Sequence, residues 1–176
     1  AFNEAKKQEC QRKSKPQRFV LLNSFITFAA NYNIMLKFIS FGSGSSGNAY
    51  FLYTETDGIF IDCGIGLRTI KKYMHSYGLH LSMIHNILIT HDHADHIRTI
   101  GVLGAVYHLP VYATTLVHDS ITRSRFVQEP LGASRRELAI HEPLELAGFS
   151  IEAFPVPHDS AENVGYHITR GEDFRF

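Results

Sequence analysis

Several short stretches of this chain alternate between apolar and polar residues, a pattern that is typical of half-buried β-strands. A first hairpin is expected to turn at Glu55–Gly58 and a second around Ala147 and Gly148, because glycine permits a tight turn. The stretches that we predict as strands are 36–41, 49–54, 58–61, 143–146, 149–156 and 163–169, with one more strand beginning at Phe174.

Helical patterns lie between these strands, and an apolar run predicts a central strand from Ile84 to Thr90. Gly78 ends the first helix, and Pro110 follows the second before a short strand at Val111–Ala113. The predicted helices are 67–77, 96–108 and a third that Thr114 or Thr115 can cap and that continues to about residue 123. Residues 124–142 show no clear pattern. Because strands that alternate with helices form sheets covered on both faces, we predict a layered α/β sandwich.

The first 34 residues differ from the rest, since they carry six Lys or Arg residues against Glu4 and Glu9. A basic start, an apolar stretch from Phe19 and small residues at Ala29 and Ala30 allow a secretory signal. Polar residues interrupt that apolar stretch, so we prefer an upstream extension that precedes a natural start at Met35. We therefore predict a non-domain extension over 1–34 and one domain over 35–176.

The composition allows one domain with a sizeable core and excludes few functions. The 176 residues have zero formal net charge, which argues against a strongly basic nucleic-acid-binding surface but leaves nucleic acid possible as a substrate. Cys10 lies in the polar N-terminal segment and Cys63 reads as a small buried apolar residue, so we expect no structural disulfide and a reducing, cytoplasmic location. No apolar run is long enough to span a bilayer, and we expect no membrane association.

The most informative stretch is Thr-His-Asp-His-Ala-Asp-His, residues 90–96, at the carboxyl end of the predicted central strand. Open α/β sheets place their sites at such strand ends. Imidazole and carboxylate groups suit zinc, and manganese or iron can also occupy a mixed His/Asp site. A histidine-rich surface turn is the alternative, which the spacing disfavours. The side chains predicted as metal ligands are His91, His93, Asp95 and His96.

Two more residues are candidates for the same metal site, namely Asp62 and His158. Asp62 follows a predicted strand, where it can orient a ligand histidine through a hydrogen bond or cap the following helix. His158 directly follows a strand and Pro157, which makes it the natural third histidine of one metal. By contrast, His108 and His118 stand alone in predicted helices and are interpreted as surface or packed residues.

Two segments offer weaker indications of an anionic substrate. The Gly- and Ser-rich loop 42–48 can cradle a phosphate or form a hairpin turn, and the turn is favoured because no phosphate-loop lysine follows. Four arginines near the unpatterned segment can contact an anion at the rim of a site, although such residues more often form a solvated face. These residues are Arg123, Arg125, Arg135 and Arg136.

The string at 90–96 resembles the His-x-His-x-Asp-His signature of the metallo-β-lactamase-fold hydrolases. The chain also resembles the bacterial YycJ/WalJ-type branch of that family, which is viewed as exonuclease-like. The segments that carry the branch resemblance are 41–48, 61–64, 90–96 and 156–159. The resemblance covers about residues 35–176 and implies an αββα sandwich.

The resemblance implies a site for two divalent ions, with zinc as the default. His91, His93 and His158 would hold the first ion, and Asp95 and His96 the second. The family adds a bridging aspartate and a final histidine further along, and this chain ends before both. We therefore expect the N-terminal part of the sandwich, in a domain that is incomplete at its C-terminus.

The expected reaction is hydrolysis by a metal-bound hydroxide, acting on a phosphodiester of nucleic acid if the branch resemblance holds. Asp95 is the residue expected to handle the proton of the nucleophile. A glyoxalase-II-like thioesterase or another hydrolase of the same fold is an alternative, although the lack of a convincing secretion signal disfavours a β-lactamase. An inactive metal-binding fragment is the alternative from a different class.

Overall fold

The computed structural model describes residues 20–22, 25–29, 35–171 and 174–176 of the chain. Most of the predicted extension 1–34, including Cys10, lies outside these described residues. Within it, Phe25–Ala29 pairs antiparallel with Met35–Gly42, so the backbone of these two strands continues the sheet. The boundary at residue 34 stays a prediction.

The first sheet contains eight strands among the described residues, paired in chain order. Neighbouring strands from β1 to β5 pair antiparallel, whereas those from β5 to β8 pair parallel and need crossover connections. The strands are β1 Val20–Leu22, β2 Phe25–Ala29, β3 Met35–Gly42, β4 Ala49–Tyr53, β5 Gly58–Ile61, β6 Asn86–Leu88, β7 Val111–Ala113 and β8 Arg135–Glu137.

The second sheet is antiparallel and has four described strands in the order β12-β11-β10-β9. Ala147 and Gly148 form the predicted turn, and both have positive φ (52° and 72°), as a type I′ hairpin requires. The strands are β9 Leu144–Leu146, β10 Phe149–Pro155, β11 Val164–Arg170 and β12 Phe174–Arg175.

The helices of the described residues lie in the crossovers of the first sheet. The elements are α1 Leu67–Ser76, a 3₁₀ turn Leu81–Met83, α2 Ala94–Ile97, a π-helical segment Val102–Val106, α3 Thr115–Arg123 and a 3₁₀ turn Gly132–Ser134. Thr114 caps α3 as predicted, since its Oγ1 accepts from the amide of Val117 at 3.3 Å.

The predicted continuous helix over 96–108 is wrong, because the helix breaks after Ile97. The carbonyl groups of Asp95 and His96 accept from Asn48 N (2.7 Å) and Cys63 N (2.6 Å). Thr99 N in turn donates to the Cys63 carbonyl at 3.0 Å. Backbone groups that would continue the helix are therefore bonded to neighbouring loops.

Two apolar clusters lie on opposite faces of the first sheet because successive strand side chains alternate between faces. Phe51 and Phe60 pack with the helices, whereas their neighbours Leu52 and Ile59 pack against the second sheet. Phe149 contributes the largest fully buried side chain on the second-sheet side. The described residues thus form helix, sheet and sheet layers, in agreement with the predicted N-terminal part of an αββα sandwich.

Cys63 is a free, fully buried thiol in the helix-side core, as predicted for a small packing residue. Burial, and to a smaller extent the nearby Asp62 carboxylate, raises the pKa of this thiol well above its ordinary value. Among the helices of the described residues, none has the length and apolar character that crossing a bilayer requires.

His118 is a packed residue, which confirms one of the two interpretations offered for it, and His108 is exposed. The His118 Nε2 lies 2.8 Å from the Arg136 carbonyl oxygen, so this nitrogen carries the proton and fastens α3 to β8. Its Nδ1 is buried without a hydrogen-bond partner. Burial lowers the pKa of His118 below the ordinary value of 6.5, although the bond to Arg136 opposes the shift.

We expect His118 to make the fold less stable as the pH falls below 6.5. Because its pKa is lower in the folded state, the unfolded chain takes up the proton first, so stability present above pH 6.5 is lost toward the folded pKa. Urea unfolding at pH 7.5 and 5.5 should show a smaller pH effect in His118→Gln than in the unsubstituted protein. The exposed control His80→Gln should keep the full effect. An unchanged pH effect in His118→Gln would contradict this role.

Candidate metal centre

The candidate site lies where the parallel strands β5 and β6 end at the same edge of the first sheet. Ile61 and Leu88 are register partners, and Asp62 N donates to the Leu88 carbonyl at 2.9 Å. The chain therefore places Asp62 beside the segment that begins at Thr90. This edge is the position at which open α/β sheets carry their sites.

The second sheet is fastened to the same edge. Tyr166 donates from its hydroxyl to the Ile89 carbonyl at 2.6 Å, and Val164 N donates to the Thr90 carbonyl at 3.0 Å. Burial raises the pKa of the Tyr166 hydroxyl well above its ordinary value, so this donor keeps its proton. These two bonds hold β11 against the end of β6, and the loop between β10 and β11 carries His158 to the site.

His91, His93 and His158 converge as one group. One ligand atom from each lies within 4.8 Å of the others. The ring centroids are 4.7 Å apart for His91 and His93, 4.6 Å for His91 and His158, and 4.9 Å for His93 and His158. His91 is buried, while the other two side chains are just over one-third exposed (36% and 39%). The group therefore opens to solvent on one side.

The donors of this group fit a divalent transition metal. The Nε2 atom of His91 is buried and has no hydrogen-bond partner, whereas its Nδ1 lies 2.9 Å from the Thr90 hydroxyl. Burial, then the neighbouring His96, His93 and His158, lowers the pKa of His91 to about 3. The ring is thus neutral at physiological pH, and its unpaired nitrogen is free for a metal.

Asp62 holds the Thr90–His96 segment together from beneath. Its Oδ1 accepts from Thr90 N at 2.9 Å, and its Oδ2 lies 2.9 Å from Thr90 Oγ1 and 2.7 Å from His96 Nδ1. Asp62 is buried and has a φ of 57°, an uncommon backbone conformation for a non-glycine residue. The orienting contact predicted for Asp62 is present. The alternative role as a helix cap is wrong, because Gly66 caps α1.

Asp95 and His96 form a second pair of donors next to the histidine group. His96 Nε2 and Asp95 Oδ2 are 3.7 Å apart, and Asn48 Nδ2 lies 3.0 Å from the first and 3.1 Å from the second. Because Asp62 holds the Nδ1 side of His96, the Nε2 side points toward Asp95 and Asn48. The structure thus brings all five predicted ligands to one end of the sheet, in two groups.

Asn48 is a site residue that the sequence pattern did not single out. Its Oδ1 accepts from Gly44 N at 2.9 Å and its Nδ2 donates to the Gly44 carbonyl at 3.0 Å, which closes loop 42–48 as a turn between β3 and β4. The favoured turn interpretation of this loop is confirmed. The indications in the sequence are an amide residue at the end of a glycine-rich loop and its place in segment 41–48, which carries the branch resemblance.

Asp159 is a second residue that was missed, although it lies in one of the segments of the family resemblance. Its Oδ1 is 2.9 Å from His158 Nδ1 and 3.8 Å from His93 Nε2, and its side chain is highly exposed. A carboxylate at this distance can orient the His158 ring through the nitrogen that it contacts.

The four arginines separate into two pairs. Arg135 forms ion pairs with Asp119 (3.2 Å) and Glu137 (2.8 Å), and the hydrogen bond to Glu137, followed by the one to Asp119, outweighs desolvation and raises the pKa of Arg135. Arg136 donates to the backbone carbonyl of Ala133. These two belong to a solvated face. Arg123 and Arg125 instead lie near His93, in a cleft on the side of α3.

Comparison with known proteins agrees with this architecture. A family model described as a beta-lactamase superfamily domain matches residues 58–176. Over 139 residues the chain is 28% identical to the exodeoxyribonuclease YycJ of Bacillus anthracis, which covers 74% of this chain and 49% of that protein. It is 26% identical over 139 residues to the exodeoxyribonuclease WalJ of Streptococcus pneumoniae, covering 79% and 52%. The chain therefore spans about half the length of these curated relatives.

Solved structures show the same fold. A metallo-β-lactamase with a HARLDQ motif from Cronobacter sakazakii superposes with a TM-score of 0.65 at 17% sequence identity, covering 80% of this chain and 59% of that one. The chain belongs to the β-lactamase superfamily that the family model describes, and its fold is that of the metallo-β-lactamases. Within the superfamily it is similar to the YycJ and WalJ exodeoxyribonucleases, so the predicted family and the predicted resemblance to that branch are confirmed.

Proposed function

We propose that this chain carries the metal site of a phosphodiesterase that cleaves DNA, and that it acts in the cytoplasm. The observation that supports the proposal most is the convergence of three imidazoles around the buried, unpaired Nε2 of His91. The similarity of the chain to two exodeoxyribonucleases supports DNA as the substrate. The free Cys63 thiol fits a reducing compartment.

His91, His93 and His158 would hold one divalent ion, and Asp95 and His96 would contribute to a second. Nitrogen and carboxylate donors suit zinc first, with manganese or iron as alternatives. When bound, such ions supply Lewis acidity, which lowers the pKa of water to about 7 and offsets charge that develops on a phosphoryl group.

Neighbouring residues would keep the donor side chains in the protonation state and orientation that metal binding requires. Burial keeps His91 neutral, so no proton competes for its Nε2. Asp62 and Thr90 fix the His96 ring in one orientation. Asp95, whose Oδ2 accepts from Asn48, is proposed to hold the proton that the attacking water loses.

A substrate panel tests the proposed reaction. Purified protein loaded with zinc or manganese is assayed on single-stranded DNA, a thioester and a β-lactam, each with and without EDTA. We expect metal-dependent release of nucleotides from DNA and at least about 100-fold slower turnover of the other two. Preferred thioester hydrolysis would support the glyoxalase-II-like alternative. About two bound metals without turnover of any substrate would instead support a metal-binding role.

Asp95→Asn separates proton handling from metal binding by the histidine group. We expect turnover to fall by about 10²- to 10⁴-fold, the range for loss of a general base, while the histidine group still binds its ion. Metal content measured by mass spectrometry and turnover on DNA are compared with Asp159→Asn, an exposed carboxylate beside His158. A larger loss of turnover in Asp159→Asn than in Asp95→Asn would show that Asp95 is not the residue that holds the proton.

A further inference from the structure

A cleft of about 350 Å³ opens beside His93, on the side of α3. Its volume is within the usual range for small-ligand sites. Because His93 belongs both to this cleft and to the histidine group, a molecule in the cleft would extend toward the candidate metal centre. The cleft is lined by Asp92, His93, Ala94, Ser120, Arg123, Ser124, Arg125 and Phe126.

The cleft contains two guanidinium groups that the described residues leave without an ion pair. Arg123 donates from Nη2 to Ser120 Oγ at 3.3 Å, and Arg125 lies over the Phe126 ring with its guanidinium carbon 5.1 Å from the centroid. Both side chains are exposed, and Arg135 on the next strand is by contrast held by two carboxylates. Unpaired guanidinium donors bind phosphate oxygens well because two N–H groups can contact one phosphate.

Phe126 adds an aromatic surface to this basic cleft. Its side chain is 50% exposed, so part of the ring is accessible to a ligand. The segment that carries it is ordered by backbone bonds, since Ser124 N donates to the Ile121 carbonyl and Val127 N to the Ser124 carbonyl. An exposed ring beside arginine is the combination on which single-stranded nucleic acids stack their bases.

Asp92 limits how a ligand lies in the cleft. Its Oδ1 is buried without a hydrogen-bond partner, and its negative charge would repel a phosphate placed next to it. A phosphate is therefore favoured at the arginine side.

We propose that this cleft binds one nucleotide of a single-stranded DNA substrate next to the bond that is cleaved. Arg123 and Arg125 hold its phosphate, and Phe126 stacks on its base. The proposal rests on the proposed function, because it assigns to the cleft a neighbour of the scissile phosphodiester. It adds a substrate site on the α3 side that the metal ligands alone do not define.

Binding of a fluorescein-labelled single-stranded oligonucleotide in EDTA tests the cleft without any cleavage. By fluorescence anisotropy, the double variant Arg123→Gln/Arg125→Gln should bind at least about 10-fold more weakly. Its slope of log affinity against log salt should be smaller by about 0.7 for each phosphate that the variant no longer neutralises. Phe126→Leu should weaken binding by about 5- to 100-fold with little change in that slope.

Arg135→Gln is the matched control, because it removes one positive charge near α3 that carboxylates already pair. It should change the affinity by less than about 2-fold. Equal losses of affinity in Arg135→Gln and the double variant would show a general charge effect and overturn the proposal, as would unchanged binding by the double variant and by Phe126→Leu.

The experiments distinguish failure of the cleft proposal from failure of the proposed function. Weakened binding in the cleft variants, together with no DNA cleavage by the metal-loaded protein, would keep the cleft and refute the proposed function. DNA cleavage by the protein with unchanged affinity in every cleft variant would keep the function and refute the cleft.

Discussion

Substitution of His93 by alanine is expected to abolish metal-dependent hydrolysis and to release the ion held by the histidine group. His93 supplies one of only three nitrogen donors that lie within 4.8 Å of one another among the described residues. Removal of the His93 imidazole leaves two nitrogen donors, which cannot hold a divalent ion tightly. We expect turnover to fall by at least about 10³-fold and metal affinity by at least about 100-fold, since loss of even an orienting partner costs 10- to 100-fold.

The measurements are bound metal per chain by mass spectrometry and turnover on single-stranded DNA. The partial exposure of His93 means that the fold should tolerate the change, so circular dichroism should stay the same. His141→Ala is the control, because His141 is exposed and lies 3.5 Å from Glu152, away from the histidine group. Undiminished turnover and metal content in His93→Ala would contradict the assignment of His93 as a metal ligand.

Gly64→Ala is expected to destabilise the fold by at least about 3 kcal/mol, because the added Cβ meets backbone atoms that cannot rotate away. That Cβ would overlap the carbonyl group of Asp95 and lie 2.8 Å from Asn48 N. Gly64 N also donates to the Asn48 carbonyl at 2.8 Å, so three site segments meet at this glycine. Relief of the overlap requires Asp95 to move, and we expect the binding of a second ion to weaken.

Urea unfolding of Gly64→Ala beside Gly66→Ala checks this expectation. Gly66 is the N-cap of α1, and a Cβ there would have only Thr69 Oγ1 nearby, at 4.0 Å. The control should lose less than about 1 kcal/mol, the cost of a poorer cap residue. Equal unfolding midpoints for the two variants would show that the segments can separate at low cost, contrary to their close packing at Gly64.

The structure also explains why the five predicted ligands fall into two groups. The histidine group contains a buried nitrogen without a partner, whereas Asp95 and His96 are both within 3.1 Å of the Asn48 amide. Asn48 in turn closes loop 42–48. The second pair therefore contacts this loop directly through Asn48.

Much of the local structure was predictable because it depends on neighbouring residues. The alternation along residues 49–61 predicts β4 and β5, and the threonine before α3 predicts its cap. The region over 124–142 was unreadable because β8 has only three residues and pairs with a distant parallel strand. The break after Ile97 was equally invisible, since loops far along the chain bind the carbonyl groups involved.

The sequence by itself determined that His91, His93, Asp95 and His96 lie together, because six consecutive residues at a strand-to-helix corner cannot separate. Only the tertiary structure decided which distant residues join them. Parallel pairing of β5 and β6 places Asp62 under His96, and the bonds from β11 to the end of β6 hold the second sheet at the site, where His158 joins the group. The tertiary structure also distinguished the arginines. Arg135 is paired with carboxylates, whereas Arg123 and Arg125 are exposed in the cleft beside His93. The difference depends on the packing of α3 and β8 rather than on residue type.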